Sequence, residues 1–256
     1  MPGTFNGTTL TISATPVDGA LIPDKSATNV AGIAIVGSDM YCVKTTGLKT
    51  TLLKTTDYMA TKATAVKKDL NWFALGLTKI GNYLYMLAED HKGYGGSTTI
   101  VKLDTKGNQL GTYSINEICP KGALGITAAD GTNEKFIIMH YADKSNAGTL
   151  AFSVVDWKAA EAASTFTVTN SGFGYTTRLQ DIYYHTSFGL FILTNNTFST
   201  LQNRILVVDY HLTDDKGKKY TPCSVINVNK TGEYKQYNLE SICMKAPCAC
   251  IQCYNI

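Results

Sequence analysis

The sequence predicts an all-β chain built from one repeated sheet, and three observations carry that reading. A short apolar segment, usually centred on a small residue, recurs five times, as Ala31-Gly32-Ile33, Leu75-Gly76-Leu77, Leu124-Gly125-Ile126, Gln180-Asp181-Ile182 and Glu240-Ser241-Ile242. The last residues of successive anchors lie 44, 49, 56 and 60 residues apart, close to the length of a four-stranded propeller blade and above it in the later units. Thr, Asn, Gly and Tyr are abundant while only 17% of residues are charged, which suits strands and turns better than exposed helices. Counting from Ile242 through the C-terminus and on from Met1 to Ile33 gives 47 residues, inside the range of the other spacings. The repeat therefore closes on itself, and the predicted fold is a five-bladed β-propeller occupying residues 1–256 as a single domain.

The units read strand by strand. The anchor is the innermost strand. Second strands follow at residues 40–43, 84–87, 136–139, 190–193 and 249–252. They are nearly continuous apolar runs, as expected of strands covered on both faces by neighbouring blades. Gly37-Ser38, Gly81-Asn82, Asp130-Gly131 and Phe188-Gly189 mark the turns before four of them, since Gly supplies the backbone angles a tight hairpin needs. Third strands occupy residues 51–55, 98–103, 150–155 and 204–208, closed by Asp57, Asp104, Asp156 and Asp209. An Asp at the first position of a turn caps local N–H groups, and that role accounts for all four without a calcium or catalytic site. The fifth unit keeps 14 residues after Ile242, enough for two strands, while residues 8–12 at the N-terminus have the pattern of its missing third strand. The last blade is thus predicted to be closed by N-terminal and C-terminal strands, which pairs edges that would otherwise stay open. Only residues 158–164 look helical, and that run is too short to matter by itself.

Composition narrows the function classes. The net charge is +3 and the basic residues are dispersed, with Lys216-Gly217-Lys218-Lys219 the densest cluster; no stripe tracks phosphates and no aromatics alternate with the lysines, so nucleic acid is not expected as a partner. No apolar run approaches the roughly 20 residues that cross a bilayer. Residues 1–16 lack the basic start and apolar core of a signal peptide. The expectation is a cytoplasmic protein, or a secreted or surface-associated one whose export signal has been removed. Seven cysteines, four of them at Cys243, Cys248, Cys250 and Cys253, fit no common zinc spacing. They read first as small buried strand residues, with a disulfide inside the cluster as the alternative; no metal and no cofactor are expected.

Chemistry is expected on the face where two loop sets emerge, from each outer strand to the next inner strand and from each second strand to the third. The first set contains Trp72, Phe73, Tyr175 and Arg178; the second contains Asp90, Tyr94, Asp143 and Asn195. Aromatic rings beside acid and amide groups suit a polyol, because a ring covers the apolar face of a sugar while polar groups satisfy its hydroxyls. Gln180 adds an amide to this set. The same rings could instead pack between blades. The anchors show one asymmetry: three carry Ala-Gly or Leu-Gly, whereas the last two carry Gln180-Asp181 and Glu240-Ser241. Asp181 and Glu240 at a channel mouth would be an acid and base pair with Arg178 orienting an anion, or they would hydrogen-bond the narrow channel's backbone. His140, His185 and His211 have no spaced partners and read as ordinary strand residues. The leading expectation is a non-enzymatic propeller that recognises a glycan or other small surface ligand through its loop face, and the alternative is a channel-mouth hydrolase or cyclase.

The repeat resembles that of five-bladed β-propellers along the whole chain, a resemblance that implies architecture more than activity. Leu75-Gly76-Leu77-Thr78 followed by Leu84-Tyr85 is similar to the blades of glutamine cyclotransferases, although Leu75 and Leu124 stand where those blades tend to carry Gln or Glu. Glu240-Ser241-Ile242 is similar to the closing repeat of helveticin-like propellers.

Overall fold

The computed structural model describes residues 9–14, 29–56, 63–90, 97–141, 149–169, 178–195, 203–212, 217–230, 237–245 and 248–255. At residues 9–14, 29, 141, 149, 178–179, 195, 203, 227–230, 237–240, 244–245 and 248–255 the description covers the backbone alone. Among the described residues every regular element is a strand.

Blade one is β2 (Asn29–Val36), β3 (Asp39–Thr46), β4 (Lys49–Thr55) and β5 (Thr64–Leu70); blade two is β6 (Phe73–Ile80), β7 (Tyr83–Glu89), β8 (Thr98–Leu103) and β9 (Gln109–Ser114). Both are antiparallel meanders. Blade three runs β10 (Ala123–Ala128), β11 (Lys135–Tyr141), β12 (Thr149–Asp156) and β13 (Ser164–Thr169), with the short β17 (Lys218–Tyr220) added in parallel on its outer edge. Blade four consists of β14 (Arg178–His185), β15 (Gly189–Asn195), β16 (Asn203–Val208) and β18 (Ser224–Lys230). A fifth sheet has only two strands, β19 (Tyr237–Lys245) and β20 (Cys248–Asn255). The inner strands pack in the cyclic order β2, β6, β10, β14, β19 and back to β2.

Three expectations need correction. The described residues form four blades, not five: the fifth position of the ring is filled by the β19–β20 hairpin, which pairs with no further strand among the described residues. The N-terminal strand, β1 (Thr9–Ala14), does not close this sheet. It lies parallel to β18 on the outer edge of blade four, in register from Thr9 opposite Val225 to Ala14 opposite Lys230. An open edge presents the same row of backbone groups wherever it occurs, so the pattern of residues 8–12 announced a strand without naming its neighbour. Residues 158–164 are irregular rather than helical: Lys158 has a φ of 63°, Ala163 N donates to Val154 O at 2.8 Å, and Ser164 opens β13.

The repeated anchor is a β-bulge. Each inner strand slips register there, at Val30/Ile33, Ala74/Gly76, Ala123/Gly125, Leu179/Asp181 and Leu239/Ser241. A bulge bends its strand and increases the local twist, which lets five inner strands converge. Convergence explains the small residues. A Cβ on Gly32, whose φ is 152°, would lie 2.1 Å from Leu77 N, and one on Gly76 would lie 3.2 Å from Ile126 Cγ2. The blade interfaces are apolar: Tyr41, Val43 and Leu52 of blade one pack with Leu77, Met86 and Val101 of blade two, and Tyr85 and Leu87 of blade two with Phe136 and Ile138 of blade three. Smaller clusters join the fifth sheet to its neighbours, Ile242 with Phe191, Leu193 and Ile205 of blade four, and Cys243 with Val30, Ile33 and Cys42 of blade one.

Candidate functional site

Side-chain oxygens of one blade accept from the inner strand of the next at four seams of the ring, and this decides the geometry around Asp181. Ala74 N of blade two donates to Thr45 Oγ1 and Thr50 Oγ1 of blade one, each at 3.3 Å. Ala128 N of blade three donates to Thr78 Oγ1 at 3.0 Å, and Tyr184 N of blade four donates to Thr127 Oγ1 at 3.0 Å. Asp181, buried in β14, continues the series: its Oδ2 accepts from Ile242 N of the fifth sheet at 3.1 Å, while Oδ1 accepts from Ile182 N at 2.9 Å. A carboxylate stands here in the slot that Gly76 and Gly125 occupy in the preceding blades, and it spans the seam to β19. Below the bulges the inner strands enclose a channel cavity of about 170 Å³, walled mainly by Ile33, Leu77, Ile126 and Ile182 with Thr78 and Thr127.

The other residues singled out in the sequence are distributed around the loop end. Phe73 opens β6 and Trp72 precedes it; Trp72 Nε1 donates to Gln109 Oε1 at 3.1 Å, its carbonyl accepts from Thr50 Oγ1 at 2.7 Å, and its ring packs on the core shared by blades one and two. Phe73 lies opposite Glu89 in the ladder, one residue before Asp90. Asp90 closes the neck of the 91–96 loop, where its N–H donates to Ser97 O and its Oδ1 accepts from Ser97 N, both at 3.1 Å. Trp72, Phe73 and Asp90 therefore gather at the loop end of blade two. Gln180 is the bulged residue of β14, near the axis, and Glu240 is its counterpart in β19. Arg178 and Asn195 face each other across the β14–β15 ladder at that same end. The side chains of Glu240, Arg178 and Asn195, and all of Tyr94, Asp143 and Tyr175, lie outside the described residues.

A concave site that the sequence did not announce lies on blade three. It is a groove of about 350 Å³ beneath the loop joining blades two and three, lined by Lys121, His140, Phe152, Thr165, Phe166 and Thr167 among others. The register aligns His140, Ala151 and Thr167 in one row across β11, β12 and β13. Alanine between two longer side chains leaves the depression. His140 Nε2 is 2.9 Å from Ser153 Oγ, which fixes its ring, and the buried Thr167 Oγ1 has no partner among the described residues. Gly217 N donates to Thr165 O at 2.7 Å and closes the outer side. By connectivity the groove adjoins the loops singled out earlier: residues 142–148, with Asp143, join the two strands bearing His140 and Ala151, and Tyr175 follows the strand bearing Thr167. His140 read as an ordinary strand residue because its neighbours in the groove come from four other segments. No local pattern could have revealed it.

These features place the chain among known propellers. No protein-family profile matches it, and none of the curated protein sequences compared with it does. Solved structures do. Glutaminyl cyclase from Myxococcus xanthus is similar at 15% identity, with a TM-score of 0.55 over 96% of this chain and 94% of that one. A β-xylosidase/α-arabinofuranosidase from a compost microbial metagenome, in complex with xylotriose, matches at 11% identity and a TM-score of 0.53, covering 93% and 92%. The α-L-arabinofuranosidase of Podospora anserina, in complex with cellotriose, matches at 11% identity and a TM-score of 0.50, covering 94% and 83%. At such identities the likeness is one of fold: the chain is an all-β propeller.

Proposed function

We propose that this propeller is a non-enzymatic binding module that recognises a glycan or comparable surface ligand at its loop end, with the groove on blade three as the principal seat. The observation that carries the reading is the groove itself: Lys121, His140 and Thr165 offer hydrogen-bonding groups around the depression at Ala151. Its volume lies at the lower end of the roughly 300–1,000 Å³ typical of small-ligand sites. Tyr94, Asp143 and Tyr175 are its proposed rim, and Trp72, Phe73, Asp90, Gln180 and Asn195 extend the recognition face around the ring. Xylotriose and cellotriose in two structures of similar fold accord with a propeller serving as a sugar platform.

The hydrolase or cyclase reading with Asp181, Glu240 and Arg178 has less support. Both Asp181 oxygens already accept backbone N–H groups, and the residue is 2% exposed; a general acid or base needs an oxygen within reach of substrate. A broad glycan array followed by titration calorimetry tests the proposal. Binding of one oligosaccharide class should weaken at least about tenfold on His140→Ala, the loss expected when a hydrogen bond of about 1.4 kcal/mol is removed. Tyr94→Ala should also weaken it. No ligand on any array, or a ligand whose affinity ignores both changes, overturns the reading.

A further inference from the structure

Building on the glycan-binding reading, we propose that the ligand seated on blade three is an acidic oligosaccharide whose carboxylate or sulfate is held by Lys121 and Lys219. The short β17 belongs to the segment linking two strands of blade four, yet it pairs with β13 as a fifth strand of blade three. Three contacts pin it there. Gly217 N donates to Thr165 O at 2.7 Å, Thr169 Oγ1 donates to Tyr220 O at 3.3 Å, and the Tyr220 ring stands edge-on to Phe166 and Tyr210, with centroids 5.5 and 5.4 Å away. Tyr220 packs on the core shared with blade four, and Lys218 Nζ lies 5.3 Å from the centre of its ring. Side chains alternate across a strand, so the exposed Lys219 between them faces the opposite side of the sheet.

The parallel ladder sets Lys219 beside Thr167 and extends the row of His140, Ala151 and Thr167 by one strand. At the usual spacing of about 4.8 Å between strands that row spans roughly 14 Å. Two short side chains stand between two long ones, which leaves room for a sugar ring across the middle. Lys121, from the loop before β10, lines the same groove. The donor set then selects the ligand. A lysine ammonium donates hydrogen bonds and never accepts them, His140 Nε2 is engaged with Ser153 Oγ at 2.9 Å, and the lining residues described include no Asp, Glu, Asn or Gln. Neutral sugar hydroxyls need acceptors as well as donors, whereas a carboxylate or sulfate only accepts, and bonds from an ammonium to such an anion are roughly twice as strong as neutral ones. Asp143 of the proposed rim is left for hydroxyls elsewhere on the sugar.

Calorimetric titration of the full-length chain tests this with four short oligosaccharides: a galacturonic acid trimer, its fully methyl-esterified form, sulfated cellotriose and cellotriose. At least one anionic form should bind about tenfold or more tightly than its neutral parent, and its affinity should fall as salt is raised. Which of the two anions gains more distinguishes a carboxylate ligand from a sulfate one. Lys219→Gln should remove most of that advantage while the neutral parent's affinity changes by less than about twofold. Lys218→Gln deletes the same charge one residue away on the other face of the sheet and should leave the advantage intact. Equal losses in the two variants would mean a general attraction to a basic protein and would overturn the proposal. Neutral parents bound as tightly as the anions would overturn it too, while leaving the glycan-binding reading in place. Silence from all four sugars also sinks it, whereas the glycan-binding reading falls only if the broad array is silent as well.

Discussion

At the scale of single residues, polar side chains fasten turns that the sequence marked only as turns. Asp130-Gly131 reads as a hairpin signal, and the structure shows what holds it: Asp130 Oδ1 accepts from Thr132 N at 2.9 Å and Thr132 Oγ1 at 2.8 Å, and Oδ2 accepts from Asn133 Nδ2 at 2.6 Å. The Thr132 N–H, the Thr132 hydroxyl and then the Asn133 amide pull the Asp130 carboxyl down to about 2. A carboxyl with a folded pKa below its unfolded value of about 3.9 contributes stability above that pH and loses it as pH falls toward the folded value. The wild type should therefore lose melting temperature between about pH 4 and pH 2 more steeply than Asp130→Asn, with the Asp130 carboxyl titrating near the lower limit by NMR. Equal acid sensitivity in the two proteins would contradict this account. Asp104 behaves as the sequence suggested, since its Oδ1 accepts from Lys106 N and Asn108 N. The buried Tyr85, which donates to Glu134 together with Lys102, was not legible, because blade packing joins positions 49 and 32 residues apart.

At the scale of elements, a bulge recurs in each inner strand, and an oxygen from the preceding blade bridges to four of them. The bulge positions were visible as anchors in the sequence, for close approach of strands demands Gly at position 32 and leaves little room for a side chain at 76 and 125. The bridge was visible only as an asymmetry: Asp181 looked like a possible acid because it broke the Gly pattern, yet its carboxylate is a strut to Ile242. Replacing it with alanine strips two buried N–H groups of their acceptor, and each such loss costs about 1–3 kcal/mol. Asp181→Ala should thus lower the unfolding free energy by about 2–4 kcal/mol in urea titrations. Asp181→Asn, which keeps one oxygen acceptor, should cost less. A variant as stable as wild type would show that the strut carries no weight and would reopen a catalytic role for the carboxyl.

At the scale of the whole molecule, the described side chains pack unevenly around the ring. Among them, those at the three seams among blades one to four form large apolar clusters, whereas those of β19 join two small ones and the Asp181 bridge. Regions with few buried contacts open at lower free energy than the core. Native-state hydrogen exchange should show the amides of Ser241, Ile242 and Cys243 exchanging through a sub-global opening, while those of Leu84 to Leu87 in β7 wait for global unfolding. Uniform protection around the ring would refute that hierarchy. The sequence alone determined the class of the fold, the repeat, the inner-strand anchors and the apolar second strands, because each follows from alternation, small residues and turn chemistry within one unit. Tertiary structure alone decided the number of complete blades, the neighbour of β1, the groove around His140 and the work of Asp181. Each of these depends on which distant strand edge or face meets another, and a backbone edge or a buried oxygen accepts many partners until packing around the ring selects one.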